Sequence, residues 1–317
     1  MPDTFVLKPV PSFRLDLTVW ALRRRARNII DRWDGTAYRR VLSLDDKPVE
    51  IEVREAAGGE RPRLAVTVKG KRAGVRLRGA VRDAVTRMLG LNADLTAFYA
   101  LAAQDRRLAP LAEQFRGVKP PRFPSVFEAL VNAFACQQLS LTVGIELLDR
   151  LARQCGPVIA GVESPRYGFP RPADLVRVKP PTFRKLGFSY GKAKSILTLS
   201  RSIVAGEQDL RSLETRNENE AIEHLMQLRG VGRWTAEYAL LRGLGRINMF
   251  PGDDVGARNH LEEWLRRRKP LDYDGVKRAV VRWQPYAGLV YFHLLLAGLK
   301  ESGEMAGRQH EAFSQIA

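Results

Sequence analysis

Two carboxylates stand side by side in MFPGDDVGARN, residues 249–259, directly after a Pro-Gly turn and before a stretch of helical spacing. An aspartate at a helix start commonly caps it, accepting an amide N–H of the first turn. One cap accounts for one aspartate. The other is either solvated or available for chemistry, because a fixed carboxylate can stabilise a developing cation or orient and deprotonate a water. Trp234 lies twenty residues before Asp254, in LRGVGRWTAEYALL, residues 228–241. Gly230 and Gly232 flank Val231 there. Such glycines allow a tight turn and leave backbone N–H groups uncovered. Uncovered amides at the positive end of the next helix form an anion site that suits phosphate. Trp234 and Tyr238 lie four apart and share a helix face. Their rings can stack on a flat π-system, and better on a cationic one. The plain alternatives are a glycine-capped helix–helix turn and an ordinary aromatic pair in a core.

The elements that carry these residues follow from periodicity. From Val126 onward the spacing is helical throughout: VFEALVNAFACQQ, TVGIELLDRLARQ, ADLVRV, GKAKSILTLSRSIVAG, EAIEHLMQL, RWTAEYALLRG, VGARNHLEEWLRRR, GVKRAVVRW and LVYFHLLLAGL. Before that the periods are mixed. LDLTVWALRRRARNIIDRW (15–33) reads as a helix with a basic face. YRRVLSL (38–44), VEIEVRE (49–55) and RLAVTVKG (63–70) alternate like strands, GGE (58–60) supplies a turn, and a second helix falls near 80–90. The fold class is therefore mostly α, with an N-terminal α+β unit built on an antiparallel sheet. The expected organisation is an α+β domain over 1–115, a helical domain over 116–305 that opens on the Pro-rich, basic GVKPPRFPS (117–125), and a peripheral tail over 306–317.

Charge narrows the partner. The 317 residues hold 52 Lys+Arg against 35 Asp+Glu, a net charge of +17. A polyanion is the natural complement, either nucleic acid or an anionic membrane surface. The alternative is a genome that makes Arg-rich proteins without regard to partner. The basic segment 15–33 could also lie on lipid. With 45% apolar and 27% charged residues the chain can bury a core. Cys136 and Cys155 are too few for a disulfide framework or a four-cysteine metal site. The first residues lack the apolar run of a signal peptide, and the longest apolar stretch, 289–299, is too short to span a bilayer. These features lead to an expectation of a cytoplasmic protein, near the nucleoid when bound to DNA, with no membrane partner.

The order of the motifs is more specific than any one of them. The hairpin, the Gly/Pro loop and the aspartate together resemble the helix-hairpin-helix–Gly/Pro–Asp superfamily of DNA glycosylases. Within it, LRGVGRWTAEYALLRGLG followed by FPGDD resembles the 3-methyladenine DNA glycosylase II type. PSVFEALVNAFACQQLS (124–140) and FPRPADL (169–175) extend the similarity, which covers roughly residues 10–300. The resemblance implies two helical subdomains behind the N-terminal α+β domain, with Asp254 and the hairpin on opposite lips of a cleft.

It also implies roles. Bifunctional members carry a Schiff-base lysine where this chain has Trp234, so a monofunctional enzyme using water is expected. The catalytic carboxylate falls on Asp254 and the cap or a structural partner on Asp253, with the reverse assignment open. Trp234 and Tyr238 fall in the base pocket. Val255 and Leu295 occupy pocket positions that relatives often fill with aromatics, so a less aromatic, roomier pocket is expected. Leu139, with Gln138 beside it, matches a wedge that fills the gap left by an extruded base. Gly230, Gly232, Arg233 and Thr235 fall on the DNA-binding hairpin. The main-chain carbonyls of Met226, Leu228 and Val231 fall where a monovalent cation, sodium or potassium, would bridge to phosphate; no other cofactor is implied. The implied partner is double-stranded DNA with alkylated bases of the 3-methyladenine and 7-methylguanine type, acted on by a monomer in base excision repair to leave an abasic site. The runs RRRAR (23–27) and RRRK (266–269) read as solvated basic faces, and His260 and His293 as core or surface residues. Two other functions remain open on the residues alone: excision of oxidised or deaminated bases, and damaged-DNA binding without catalysis.

Overall fold

The computed structural model describes residues 3–56, 61–70, 74–160 and 164–306. Strand β1 (Asp3–Leu7) is followed by helix α1 (Leu15–Arg23), β2 (Arg32–Trp33), β3 (Ala37–Leu44), β4 (Lys47–Glu55) and β5 (Leu64–Val68). The five strands form one antiparallel sheet in the order β1-β5-β4-β3-β2. Tyr38 pairs with Val53, Val53 with Val66 and Val66 with Phe5, so one row of buried side chains crosses four strands. Three of these strands match the alternating segments of the sequence, and β1 adds an edge that the alternation did not reveal. GGE at 58–60 lies outside the described residues, as does the tail beyond 306.

The long helix expected over 15–33 stops at Arg23. Arg24 takes a left-handed conformation (φ 61) and returns its N–H to Trp20 O, a C-terminal cap. Asn28 then turns the chain, its Oδ1 accepting the N–H groups of Ile30 and Asp31. The apolar period of α1 continues past Arg23 in the sequence, but these two local devices override it.

Helices α2 (Val75–Met88), α3 (Thr96–Gln104) and α4 (Leu108–Gln114) lead to α5 (Val126–Cys136) and α6 (Leu141–Cys155). A two-stranded hairpin, β6 (Val158–Ile159) with β7 (Arg166–Tyr167), interrupts a region expected to be wholly helical. Then come α7 (Pro172–Leu175), α8 (Pro180–Leu186), α9 (Tyr190–Val204), α10 (Glu218–Met226), α11 (Arg233–Ala239), α12 (Val255–Trp264), α13 (Tyr273–Val280) and α14 (Ala287–Glu301). A π-helical turn, Leu240–Leu244, continues α11.

Two apolar cores result. One joins the sheet to α2, α5, α6 and α8 to α11. The other joins α3 and α4 to α12, α13 and α14, so helices before residue 116 pack with the last helices of the chain. Helix α1 serves both: Leu15, Val19 and Leu22 face the first core, and Leu17, Trp20 and Ala21 face the second. Its C-terminal end therefore lies on the seam between them, where α11 meets α12 and α14.

Candidate active site

The hairpin between α10 and α11 is closed by Val231 N–H donating to Leu228 O. Gly230 has φ 79, and a Cβ there would collide with the Ser195 side chain, so only glycine serves. Gly232 is the N-cap of α11 and offers no side-chain cap. The first bond of the helix is Ala236 N–H to Gly232 O, which leaves the amides of its first turn facing out of the ladder.

The loop before α12 is tied to this hairpin helix. Glu237, buried in α11, accepts the N–H of Gly252 at 3.1 Å and the hydroxyl of Tyr273 at 2.5 Å. A Cβ on Gly252 would sit 2.7 Å from the Tyr273 ring, so the loop lies flat against that ring. The guanidinium of Arg233 stacks 3.5 Å over the other part of this unit, Tyr273, and donates to Asp253 at 2.8 and 2.7 Å. Burial raises the Glu237 carboxyl above its usual range even though both donated bonds pull it down.

Asp254 is held two ways. Its Oδ1 accepts Ala257 N–H at 2.9 Å and so caps α12. Its Oδ2 accepts the indole N–H of Trp234 at 3.2 Å and the hydroxyl of Tyr291 at 3.4 Å. Of the two roles expected for Asp253, cap or structural partner, the cap falls to Asp254, and Asp253 is the structural partner, ion-paired with Arg233. The expected cleft with Asp254 and the hairpin on opposite lips is corrected, since Asp254 touches the hairpin helix directly. The ring centroids of Trp234 and Tyr238 lie 5.6 Å apart. Val255 is 59% exposed at the first turn of α12. Leu295 is half-buried in the second core, and Tyr291, one turn earlier on the same face of α14, is the residue that reaches the carboxylate. An aromatic absent at 255 and 295 is therefore supplied from 291. Burial, with Asp254 nearby, raises the Tyr291 hydroxyl far above its ordinary range, so it stays a proton donor.

The turn between α5 and α6 lies beside the hairpin. Gln137 donates from Nε2 to Gly230 O at 3.0 Å and to Thr235 Oγ1 at 2.9 Å. Lys192 donates to the carbonyls of Ala135 and Gln137 at 3.0 and 2.7 Å, satisfying the end of α5. Gln138 is held at φ 55, unusual for a residue with a side chain, and Leu139 follows it, 43% exposed. Thr235, expected among the DNA-binding residues, is buried, and its hydroxyl is engaged by Gln137. Leu228 O closes the hairpin turn, while the Met226 and Val231 carbonyls accept no backbone N–H outside the helices among the described residues.

Comparison with known proteins agrees with this arrangement. Residues 131–285 match the model of the helix-hairpin-helix–Gly/Pro–Asp superfamily of base excision DNA repair proteins, and residues 5–125 match that of the AlkA N-terminal domain. The chain belongs to that superfamily. It is 28% identical over 204 residues to the DNA-3-methyladenine glycosylase of Bacillus subtilis, covering 64% of this chain and 67% of the relative. It is 26% identical over 180 residues to DNA-3-methyladenine glycosylase 2 of Escherichia coli, covering 56% and 60%. The chain thus spans about two thirds of the length of these relatives. The solved 3-methyladenine DNA-glycosylase of Archaeoglobus fulgidus superposes with a TM-score of 0.82 at 25% identity, covering 94% of this chain and 99% of that one.

Several residues of this superfamily member were not visible as site residues in its sequence. Arg24, from RRRAR, was expected on a solvated face. It is instead buried, donating to Tyr238 Oη at 2.8 Å and Asn132 Oδ1 at 2.6 Å. Arg23 is buried as well, stacked 4.9 Å over Trp20. Only the departure of Arg24 from helical φ explains its inward turn, and no local pattern announces that. Glu237 and Tyr273 had a weak signal: an acidic residue on the aromatic face of α11 needs partners if it is buried. Tyr291 had a better one, lying four residues before Leu295. Arg266 to Lys269 are exposed as expected. His293 is buried in the second core, its Nδ1 2.7 Å from Leu289 O, and burial pushes it down to about 4.

Proposed function

We propose that this chain is a monofunctional DNA glycosylase of base excision repair. It takes an alkylated base out of the duplex and hydrolyses its N-glycosidic bond, leaving an abasic site. The observation that carries this reading is the Asp254 carboxylate, with one oxygen spent on the helix cap and the other turned to the aromatic side chains of Trp234 and Tyr291. A plain cap would need only the first of these contacts. As the bond breaks, the sugar becomes oxocarbenium-like. Asp254 is the anion in place to stabilise it and to orient or deprotonate the water that traps it. Trp234, half-buried, offers its ring to the extruded base with the buried Tyr238 and Tyr291 beside it, and an N3- or N7-alkylated purine, already cationic, suits such a face. Val255 and Leu295 complete the rim.

The half-exposed Leu139, pushed out by the conformation of Gln138, is suited to fill the vacated stack. Gly230, Gly232 and Arg233 present the hairpin backbone and a cation to phosphate. The carbonyls of Met226, Leu228 and Val231 would hold a sodium or potassium ion there. Two features favour hydrolysis without strand cleavage. Position 234 carries no amine, and the amine of Lys192 is engaged by two carbonyls.

The test is a set of duplexes carrying 3-methyladenine, 7-methylguanine, hypoxanthine, 1,N6-ethenoadenine or 8-oxoguanine. Abasic sites are detected by hot alkali, and borohydride trapping scores any Schiff base. Release of methylated purines without trapping is expected. Release of 8-oxoguanine alone, or binding with no abasic product, would overturn the reading.

A further inference from the structure

Two guanidinium groups without a neutralising carboxylate among the described residues back the aromatic residues of the site. Arg24 is 5% exposed, and both hydrogen bonds of its guanidinium go to neutral oxygens, Tyr238 Oη and Asn132 Oδ1. Its buried Nε has no partner among the described residues. Arg242, fully buried in the π-helical turn, donates among the described residues only to the carbonyls of Ala21 and Leu22, and its Nε is unpartnered there too. Both cations lie over the same ring, Phe123, at 5.3 and 4.9 Å. A buried charge is costly unless it is paired, and by contrast Arg40, buried behind them, is paired with both Asp31 and Glu128. Two unpaired charges beside Tyr238 therefore call for a use.

The chemistry of the leaving base supplies one. In hydrolysis the C1′–N9 bond breaks and its electron pair leaves with N9. Water oxygen adds at C1′, and the water proton passes to Asp254 or solvent. An N3- or N7-alkylated purine starts cationic and departs neutral. A neutral lesion purine departs as an N9 anion, which then takes a proton from water. In both cases the base gains one unit of negative charge. Measured from the stacked base outside the pocket, only the neutral lesion becomes net negative beside a fixed cation and is stabilised by it, whereas a cationic base is opposed by that cation on entry.

We infer that Arg24, acting through Tyr238, is a specificity-determining residue that extends the pocket to neutral purine lesions whose departing base is anionic. Arg24 occupies a lone pair of the Tyr238 hydroxyl, which leaves the hydroxyl proton directed elsewhere and makes it a stronger donor. Among the described residues that hydroxyl makes no other hydrogen bond. Tyr238 is buried, its ring 5.6 Å from that of the half-buried Trp234, and on this inference its hydroxyl proton goes to a carbonyl oxygen or ring nitrogen of a base lying on Trp234. Asn132, itself anchored by donating to Glu128 O at 3.0 Å, holds the guanidinium in this pose. Arg242 adds charge from behind without touching Tyr238. The inference rests on the glycosylase reading above and names a substrate class for the same site.

The test compares single-turnover excision of hypoxanthine and of 7-methylguanine from otherwise identical duplexes. Arg24→Gln should slow hypoxanthine release at least about tenfold and leave 7-methylguanine release undiminished, because a cationic base is not helped by a neighbouring cation on entering the pocket. The 7-methylguanine rate reports that the variant is folded. Tyr238→Phe keeps the cation and removes the donor; it should lower the hypoxanthine-to-7-methylguanine ratio at least about threefold, and it carries the test if Arg24→Gln does not fold. Equal losses on both lesions, or an unchanged ratio in these variants, would overturn the inference. So would a wild-type protein that releases 7-methylguanine and no hypoxanthine, with the glycosylase reading left standing. Release of neither lesion would overturn both.

Discussion

Tyr273→Phe tests whether the loop carrying Asp254 is held by side chains of the hairpin helix. The change removes one hydroxyl and keeps the ring under Arg233 and against Gly252. The lost bond is the 2.5 Å donation to Glu237, whose carboxylate is buried and then retains only the Gly252 N–H. A hydrogen bond to a charged group contributes about 1.5–3 kcal/mol, so unfolding in urea should show a loss of about 2 kcal/mol. Catalysis should suffer as well, because Asp254 lies two residues beyond Gly252. A misplacement of about 1 Å costs about 100-fold. With one of two anchors left, a fall of about tenfold in kcat, with little change in KM, is expected. The pH profile separates this from a general loss of structure. Burial already raises Glu237, and the Tyr273 bond holds it down, so removing that bond raises it further. The acid limb of kcat, where Glu237 takes up a proton and weakens its grip on the loop, should move to higher pH in Tyr273→Phe. Wild-type kcat and an unmoved acid limb would refute the positioning role.

Other outcomes follow from separate parts of the molecule. Leu139→Ala should leave urea unfolding unchanged and lower kcat/KM on lesion duplexes about fivefold, since burying the exposed part of a leucine in the base stack contributes about 1 kcal/mol; equal activity would remove the wedge. Glu128 shares Arg40 with Asp31, and because one cation does not neutralise two buried anions, burial leaves Glu128 raised to about 7. A carboxyl raised on folding stabilises the fold below its unfolded value near 4.5, and that contribution is lost as pH rises through about 7. Urea unfolding of the wild type between pH 5 and 8 should therefore show a decline on the order of 3 kcal/mol that Glu128→Gln flattens; an equal decline in the variant would contradict the assignment.

How much of this was legible in the sequence depends on how local each determinant is. The strands β3, β4 and β5 were readable because their alternation is set by the pleat itself. The hairpin was readable because its glycines are needed for φ at 230 and for close approach to Ser195, and the carboxylate pair because a Pro-Gly turn before a helix is a short-range signal. Which of Asp253 and Asp254 caps the helix was not legible. It depends on Arg233, twenty residues away in sequence, taking Asp253 and leaving Asp254 to cap. Arg24 was misplaced for the same kind of reason: a run of arginines resembles a wet surface until a left-handed residue turns one of them inward. Tyr291 reaches the site only because α14 packs on α12 across the second core, a contact between distant segments.

The most direct measurement is single-turnover excision by Asp254→Asn. Asparagine caps a helix about as well as aspartate, so α12 should keep its start and the fold its stability, while the charge beside Trp234 and Tyr291 is lost. Excision of 7-methylguanine should fall at least about 100-fold with affinity for the lesion duplex within about threefold of wild type. Excision at the wild-type rate would contradict the account.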